Sequence, residues 1–242
     1  MSTPAKNRGL RVTVSARYAV ATGCALLLGG GLTALLVAAC GAGTRSLESL
    51  SPDELNQGVT AFATVQRVLQ HPRCQNCHIP GDSPLQFDDG QEHAQGILRG
   101  PDGKGAPGLP CSSCHGTENA PASYGPHAPP GAPGWALPPP EHKMVTLGLS
   151  GAEVCAMLKD PAHNGGKDFD ALIHHVSEDK LVLWGWSPGG QRAPVSVPHE
   201  EFVEQFKLWA SLGGPCPAPS APPPVPAPGA VATQPSGAAT AQ

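Results

Sequence analysis

The chain has 242 residues, with 15 Lys and Arg against 19 Asp and Glu, eight cysteines, 30 glycines, 29 prolines and only 5% aromatic residues. A net-acidic chain is a poor partner for nucleic acid or an anionic lipid surface, and suits a basic docking face instead. So much glycine and proline beside so few aromatics predicts a thin apolar core that needs a staple or a cofactor.

Residues 1–17 carry Lys6, Arg8, Arg11 and Arg17 and no acid, and Tyr18 to Ala39 is an uncharged run of 22 residues. This is the pattern of an export signal or a membrane anchor over residues 1–39. Leu36-Val-Ala-Ala39 before Cys40 resembles the lipobox of bacterial lipoproteins, in which cleavage leaves a lipidated cysteine as the first residue. The uncleaved helix is the other reading, because the run is long enough to span a bilayer. Both place residue 41 onward on the periplasmic side, held at the membrane by a lipid on Cys40 or by the helix. Gly41, where an Asp would retain the lipoprotein at the inner membrane, favours the outer one. Four of the 15 basic residues fall in this leader, so the remainder carries 11 against 19 acidic ones. Residues 40–50 read as a linker.

Ser51-Pro52-Asp53-Glu54 is an N-cap, a first-turn proline and the acid of a capping box. It predicts a helix to about Leu69, with Leu55, Val59, Phe62, Val65 or Val68, and Leu69 as the apolar face, packed on a cofactor at its end. His71 stands where the helix stops at Pro72, as a C-terminal cation or as a ligand.

Cys74-Gln-Asn-Cys77-His78 follows, and Cys111-Ser-Ser-Cys114-His115 repeats its pattern. Each spells the attachment signal for a c-type haem: two thiols add to the porphyrin as thioethers and the adjoining imidazole binds the iron. A Cys-X-X-Cys pair alone also serves zinc sites, redox thiols and disulfides. With 10 His in the chain, histidine after both pairs by chance is about a 0.2% event. Zinc ribbons space their pairs by about 15–20 residues, whereas 33 residues separate Cys77 from Cys111. The pattern therefore predicts two covalently attached haems, with a four-thiol zinc module as the competing reading.

Residues 79–110 are punctuated by Gly, Pro and Asp and read as loop. Their one good coordinating side chain, His93, is either a surface histidine or the second axial ligand of the first haem. Residues 120–140 are proline-rich and predict an extended wrap with Trp135 on a haem edge or in the core. Met144 is open between a thioether ligand of the second haem and a packing residue. Ser150-Gly-Ala-Glu153 caps a further helix in which Met157 is core. Asp168 to Glu178 predicts another helix, with Phe169, Leu172, Ile173 and Val176 on one face and His175 turned further inward than His174. His175 is the alternative to Met144 at the second haem. Trp184-Gly-Trp186 reads as a short strand or turn, and a last helix over about 200–212 presents Phe202, Phe206 and Trp209 before Gly213. Cys155 and Cys216 remain unassigned, and in an exported protein they are expected to pair. Residues 217–242 hold only uncharged Pro-, Ala-, Ser- and Gly-rich sequence and predict a disordered tail. The expected fold is mainly α with long Pro/Gly-rich loops and little or no sheet, a small haem-centred domain over residues 51–216.

Taken together, several stretches resemble a known group. They are the two motifs, Asp88-Asp89 with His93, Arg99-Gly-Pro-Asp-Gly103, Trp135 with Pro138-Pro139, Met144, Cys155 with Leu158-Lys-Asp160, and Asn164-Gly-Gly166. His175, Leu181-Val182, Trp184-Gly-Trp186-Ser-Pro-Gly189, and Trp209 before Cys216-Pro217 complete the set. Over about residues 55–217 the chain resembles small bacterial proteins labelled isoquinoline 1-oxidoreductase subunit. That resemblance implies association with a molybdenum hydroxylase of the xanthine oxidase type, although this chain has neither a molybdopterin domain nor a four-cysteine iron–sulfur pattern. It implies a di-haem cytochrome that takes electrons from a periplasmic dehydrogenase and passes them to another cytochrome or an oxidase. A di-haem peroxidase-like enzyme is the alternative; it requires an open axial position and neighbouring acid–base groups.

Overall fold

Two residues that never meet in sequence, Phe62 and Trp209, lie with ring centroids 5.2 Å apart and fix the centre of the molecule. The computed structural model describes residues 45–219. The leader, Cys40 and the tail from residue 220 onward lie outside the described residues.

Helix α1 (Pro52–Leu69) starts as its sequence dictates. The Ser51 hydroxyl accepts from the Glu54 amide at 3.3 Å and the Glu54 carboxylate accepts from the Ser51 amide at 2.8 Å. Its buried face is Gly58, Ala61, Phe62, Val65 and Val68, turned slightly from the expected stripe, so that Leu55, Val59 and Leu69 are half-buried. That face meets other helices. It packs on the last helix, α7 (His199–Ser211), through Phe62 and Trp209, and on α3 (Gly151–Lys159). The close approach needs Gly58, because a Cβ there would stand 2.3 Å from Pro215.

Between α1 and α3, α2 (Pro72–Gln75) is followed by two antiparallel hairpins, β1 (Leu85–Gln86) with β2 (Gln91–Glu92) and β3 (Gly105–Ala106) with β4 (Leu109–Pro110). The loop expected over residues 79–110 therefore contains this small amount of sheet. After α3 come α4 (Pro161–Asn164), α5 (Phe169–Glu178) and α6 (Lys180–Leu183). Ser150 and Glu153 form the expected capping box, and the Asp168 carboxylate caps α5 by accepting from the Ala171 amide at 2.8 Å. Trp184–Trp186 is a 3-10 turn, with Trp186 Nε1 donating to the Val197 carbonyl at 2.7 Å. The protein is mainly helical.

The helical core is fuller than the composition implies. Phe62, Phe169 and Phe206 surround Trp209 at 5.1–5.3 Å in tilted and edge-on arrangements, and the indole N–H donates to the Pro215 carbonyl at 3.0 Å. Val65, Val154, Leu158, Leu172 and Phe202 complete a contiguous cluster, against which Cys74 packs as the nearest residue of the two Cys-X-X-Cys-His motifs. The few aromatics are concentrated at one point. Residues 45–50 are not a free linker: a 3-10 turn at Leu47–Ser49 lies there, and the Arg45 guanidinium meets Glu54.

Cys155 and Cys216 form the expected disulfide, which ties α3 to the segment after α7 across 61 residues of sequence. Replacing both by serine is expected to cost about 2–4 kcal/mol, read as a lower denaturant midpoint with an unchanged far-UV spectrum.

Candidate haem-attachment site

The two motifs fold alike although their central residues differ. In the first, the Cys77 and His78 amides donate to the Cys74 carbonyl at 3.2 and 3.3 Å; in the second, the Cys114 and His115 amides donate to the Cys111 carbonyl at 3.2 and 3.0 Å. Each single turn thus brings two thiols and one imidazole to one short stretch of backbone. None of the four thiols is in a disulfide.

Pro72 opens α2 rather than simply ending α1. His71 caps it, its Nδ1 accepting from the Arg73 amide at 3.2 Å. The expectation of a helix-end cation is therefore corrected: His71 accepts a hydrogen bond, and burial followed by the Arg73 charge lowers its pKa. An imidazole in that role is neutral.

Both motif histidines are oriented through the same atom. His78 Nδ1 donates to the Met144 carbonyl at 3.0 Å, and His115 Nδ1 donates to the Pro130 carbonyl at 2.7 Å. A carbonyl only accepts, so the proton sits on Nδ1 and the lone pair on Nε2. This is the arrangement by which proteins fix the tautomer and direction of a metal-binding imidazole. Burial holds His78 neutral, its pKa pulled down to about 4, and lowers that of His115 in the same direction. Met144 delivers its carbonyl from the left-handed region, at φ 47, which a non-glycine residue occupies only against resistance. The Thr146 amide, donating to the His78 carbonyl at 2.9 Å, grips the same residue from the backbone side.

The sulfurs of Cys74, Cys77 and Cys111 favour their neutral form. Burial pushes the Cys74 thiol up to about 12 and the Cys77 thiol up to about 11, each also opposed by a neighbouring cysteine, and burial raises Cys111 too. A zinc ligand or a reactive thiol must become a thiolate, which an environment of this kind resists. A thioether is neutral and meets no such penalty. Among the described residues, no three His, Cys, Asp or Glu side chains converge as a metal-binding group. The thiols and imidazoles therefore fit a covalently bound porphyrin, whose thioether sulfurs are neutral.

The remaining sequence-predicted ligands are distributed differently from expectation. His93, expected opposite His78, has its ring centroid 6.1 Å from that of His115. His175, expected at the second motif, lies close enough to His78 to depress its pKa electrostatically. Its own Nδ1 faces the Asp179 carboxylate at 3.4 Å, and burial lowers its pKa. Met144 serves the first turn through its backbone, while its side chain packs at the edge of the helical core. His175 is half-buried and His174 exposed, as the helical phase predicts.

Trp135 stacks on the His115 ring with centroids 4.5 Å apart and planes 6° from parallel. Trp184 meets Trp135 edge-on at 4.9 Å and is hydrogen-bonded through its N–H to Asn119 at 2.9 Å. The guanidinium of Arg73, the residue before Cys74, lies 5.8 Å over Trp184. Indoles thus fill the space between the second imidazole and the first motif.

Two buried arginines carry no sequence signal of their role. Arg73 pairs with Asp88 at 2.5 Å and donates to the Phe87 carbonyl at 3.0 Å. Arg99, 1% exposed, donates to the carbonyls of Ile79, Gly81 and Pro138 and meets Asp82 at 3.3 Å. It binds the strand of chain leaving His78 to the proline segment before Met144.

Comparison of the chain with protein-family models, with curated proteins and with solved structures finds no match.

Arg99→Lys, which keeps the charge but loses the fork that reaches several carbonyls, is expected to cost about 2–4 kcal/mol. The measurement is chemical denaturation, with Lys104→Ala, an exposed neighbour, as the control that changes little.

Proposed function

We propose that the chain is an exported di-haem c-type cytochrome that carries electrons at the periplasmic face of a membrane. The observation that carries this reading is the repeated turn, with two thiols outside any disulfide and an imidazole held through Nδ1 by a backbone carbonyl in both copies. Cys74, Cys77, Cys111 and Cys114 would form the thioethers, and His78 and His115 would hold the irons through Nε2. The bound haems supply reversible one-electron chemistry. The protein's part is to orient the imidazoles, hold the porphyrins at fixed positions and set their contact with water.

The two sites differ in that last respect. The first adjoins the helical core, which Cys74 and Met144 touch, whereas Cys114 of the second is exposed. The second site is the natural port for exchange with a partner protein. The net-acidic chain favours a partner with a basic docking face. Resemblance to the isoquinoline 1-oxidoreductase group supports a molybdenum-hydroxylase-type dehydrogenase as donor, with another cytochrome or an oxidase as acceptor. The membrane tie is through a lipidated Cys40 or the apolar run before it.

The test is a potentiometric titration followed optically on protein from a host that matures c-type haems. An electron carrier gives two reversible one-electron steps, a low-spin ferric spectrum and negligible peroxide turnover. Rapid peroxide turnover with a high-spin iron in the untreated protein would overturn the carrier reading in favour of a peroxidase-like enzyme.

A further inference from the structure

The segment between the motifs supplies a histidine to the second of them. We propose that His93 and His115 bind one iron from its two sides, so that the haem at Cys111 and Cys114 is ligated by two histidines. The inference rests on the cytochrome reading and deepens it.

His93 follows the β1–β2 hairpin, and its amide donates to the Pro84 carbonyl at 2.9 Å, so the hairpin fixes its backbone. Its ring is fixed as well, with Nδ1 donating to the Ala94 carbonyl at 2.8 Å. His115 has the matching arrangement on Pro130. In both rings Nδ1 is used, and Nε2 has no hydrogen-bond partner among the described residues.

The spacing suits a shared metal. Two imidazole–metal bonds of about 2 Å each, plus about 1 Å from each nitrogen to its ring centre, give roughly 6 Å between centroids. The observed separation is 6.1 Å, with the planes 68° apart. An ordinary edge-to-face contact also allows that distance. It gives no reason, however, for both rings to be anchored through Nδ1 to backbone carbonyls with Nε2 unused in each.

Trp135 covers one face of the His115 ring, which holds its plane without occupying a nitrogen. The assignment also leaves the second haem without a methionine ligand, so no thioether raises its potential relative to the first.

The experiment uses full-length protein with c-type haem maturation, ferric EPR and optical spectra, and a pyridine haemochrome assay on every sample. His93→Gly is expected to turn one of two low-spin haems high-spin, with added imidazole restoring it. Two single-haem backgrounds locate the effect. In Cys111→Ser/Cys114→Ser, which keeps only the first haem, His93→Gly should change nothing. In Cys74→Ser/Cys77→Ser, which keeps only the second, it should produce the high-spin iron. Either background suffices if the other does not accumulate. Two low-spin haems in His93→Gly, or a change confined to the first haem, overturns the proposal. Fewer than two haems per chain in the wild type overturns the cytochrome reading instead, so the two failures are distinguishable.

Discussion

A proton on Nδ1 of each motif histidine, held there by a backbone carbonyl, is the constraint on which the rest of the site depends. Without it the imidazole can rotate or change tautomer, and the nitrogen needed for a metal is no longer directed. The bonds themselves contribute only about 1 kcal/mol each to stability, but acceptors of this kind are worth about 10–100-fold in metal affinity or activity. Much of the chain is arranged to deliver those two oxygens. The Met144 carbonyl comes from 66 residues beyond His78, through a backbone held at φ 47. The Pro130 carbonyl comes from a segment closed on itself, where the Gly131 amide donates to Asn119 at 3.1 Å. A Cβ on Gly131 would stand 2.1 Å from the Glu118 carbonyl, so the return is possible only with glycine.

The helical core and the motif-bearing loops divide the work. Trp209 and its three phenylalanine neighbours build a core from α1, α5 and α7, and the disulfide fastens α3 to the segment after α7. α1 then runs directly into the first motif, so burial of its face against α7 fixes where Cys74 begins. The second motif has no such helix. It depends on the hairpins and the proline segments, while Arg99, whose guanidinium replaces the hydrogen-bond ladder that irregular chain lacks, holds the chain that leaves the first motif. The site nearer the core is the more sheltered and the site on the loops the more open, a difference that would tune the potentials of haems bound there and their access.

What was legible in the sequence was local. Ser51 and Ser150 each announced a capping box, Asp168 a cap, and the apolar spacing in α5 placed His175 inward and His174 outward. The pairing of Cys155 with Cys216 followed from elimination. Chain reversal was not legible. Reading His93 with His78 followed the order of the chain, but the β1–β2 hairpin carries His93 toward His115. Met144 suggested a thioether because of its side chain, whereas its carbonyl is what the site uses. The roles of Arg73 and Arg99 were invisible because they bind backbone carbonyls, which every residue has and no pattern marks.

The most direct measurement is peptide mass analysis of denatured, extracted protein from a maturation-competent host. The account predicts one peptide containing Cys74 and Cys77 and another containing Cys111 and Cys114, each heavier by one haem that acid–acetone does not remove. Peptides of unmodified mass, carrying free thiols, a Cys74–Cys77 disulfide or a Cys111–Cys114 disulfide, would contradict it.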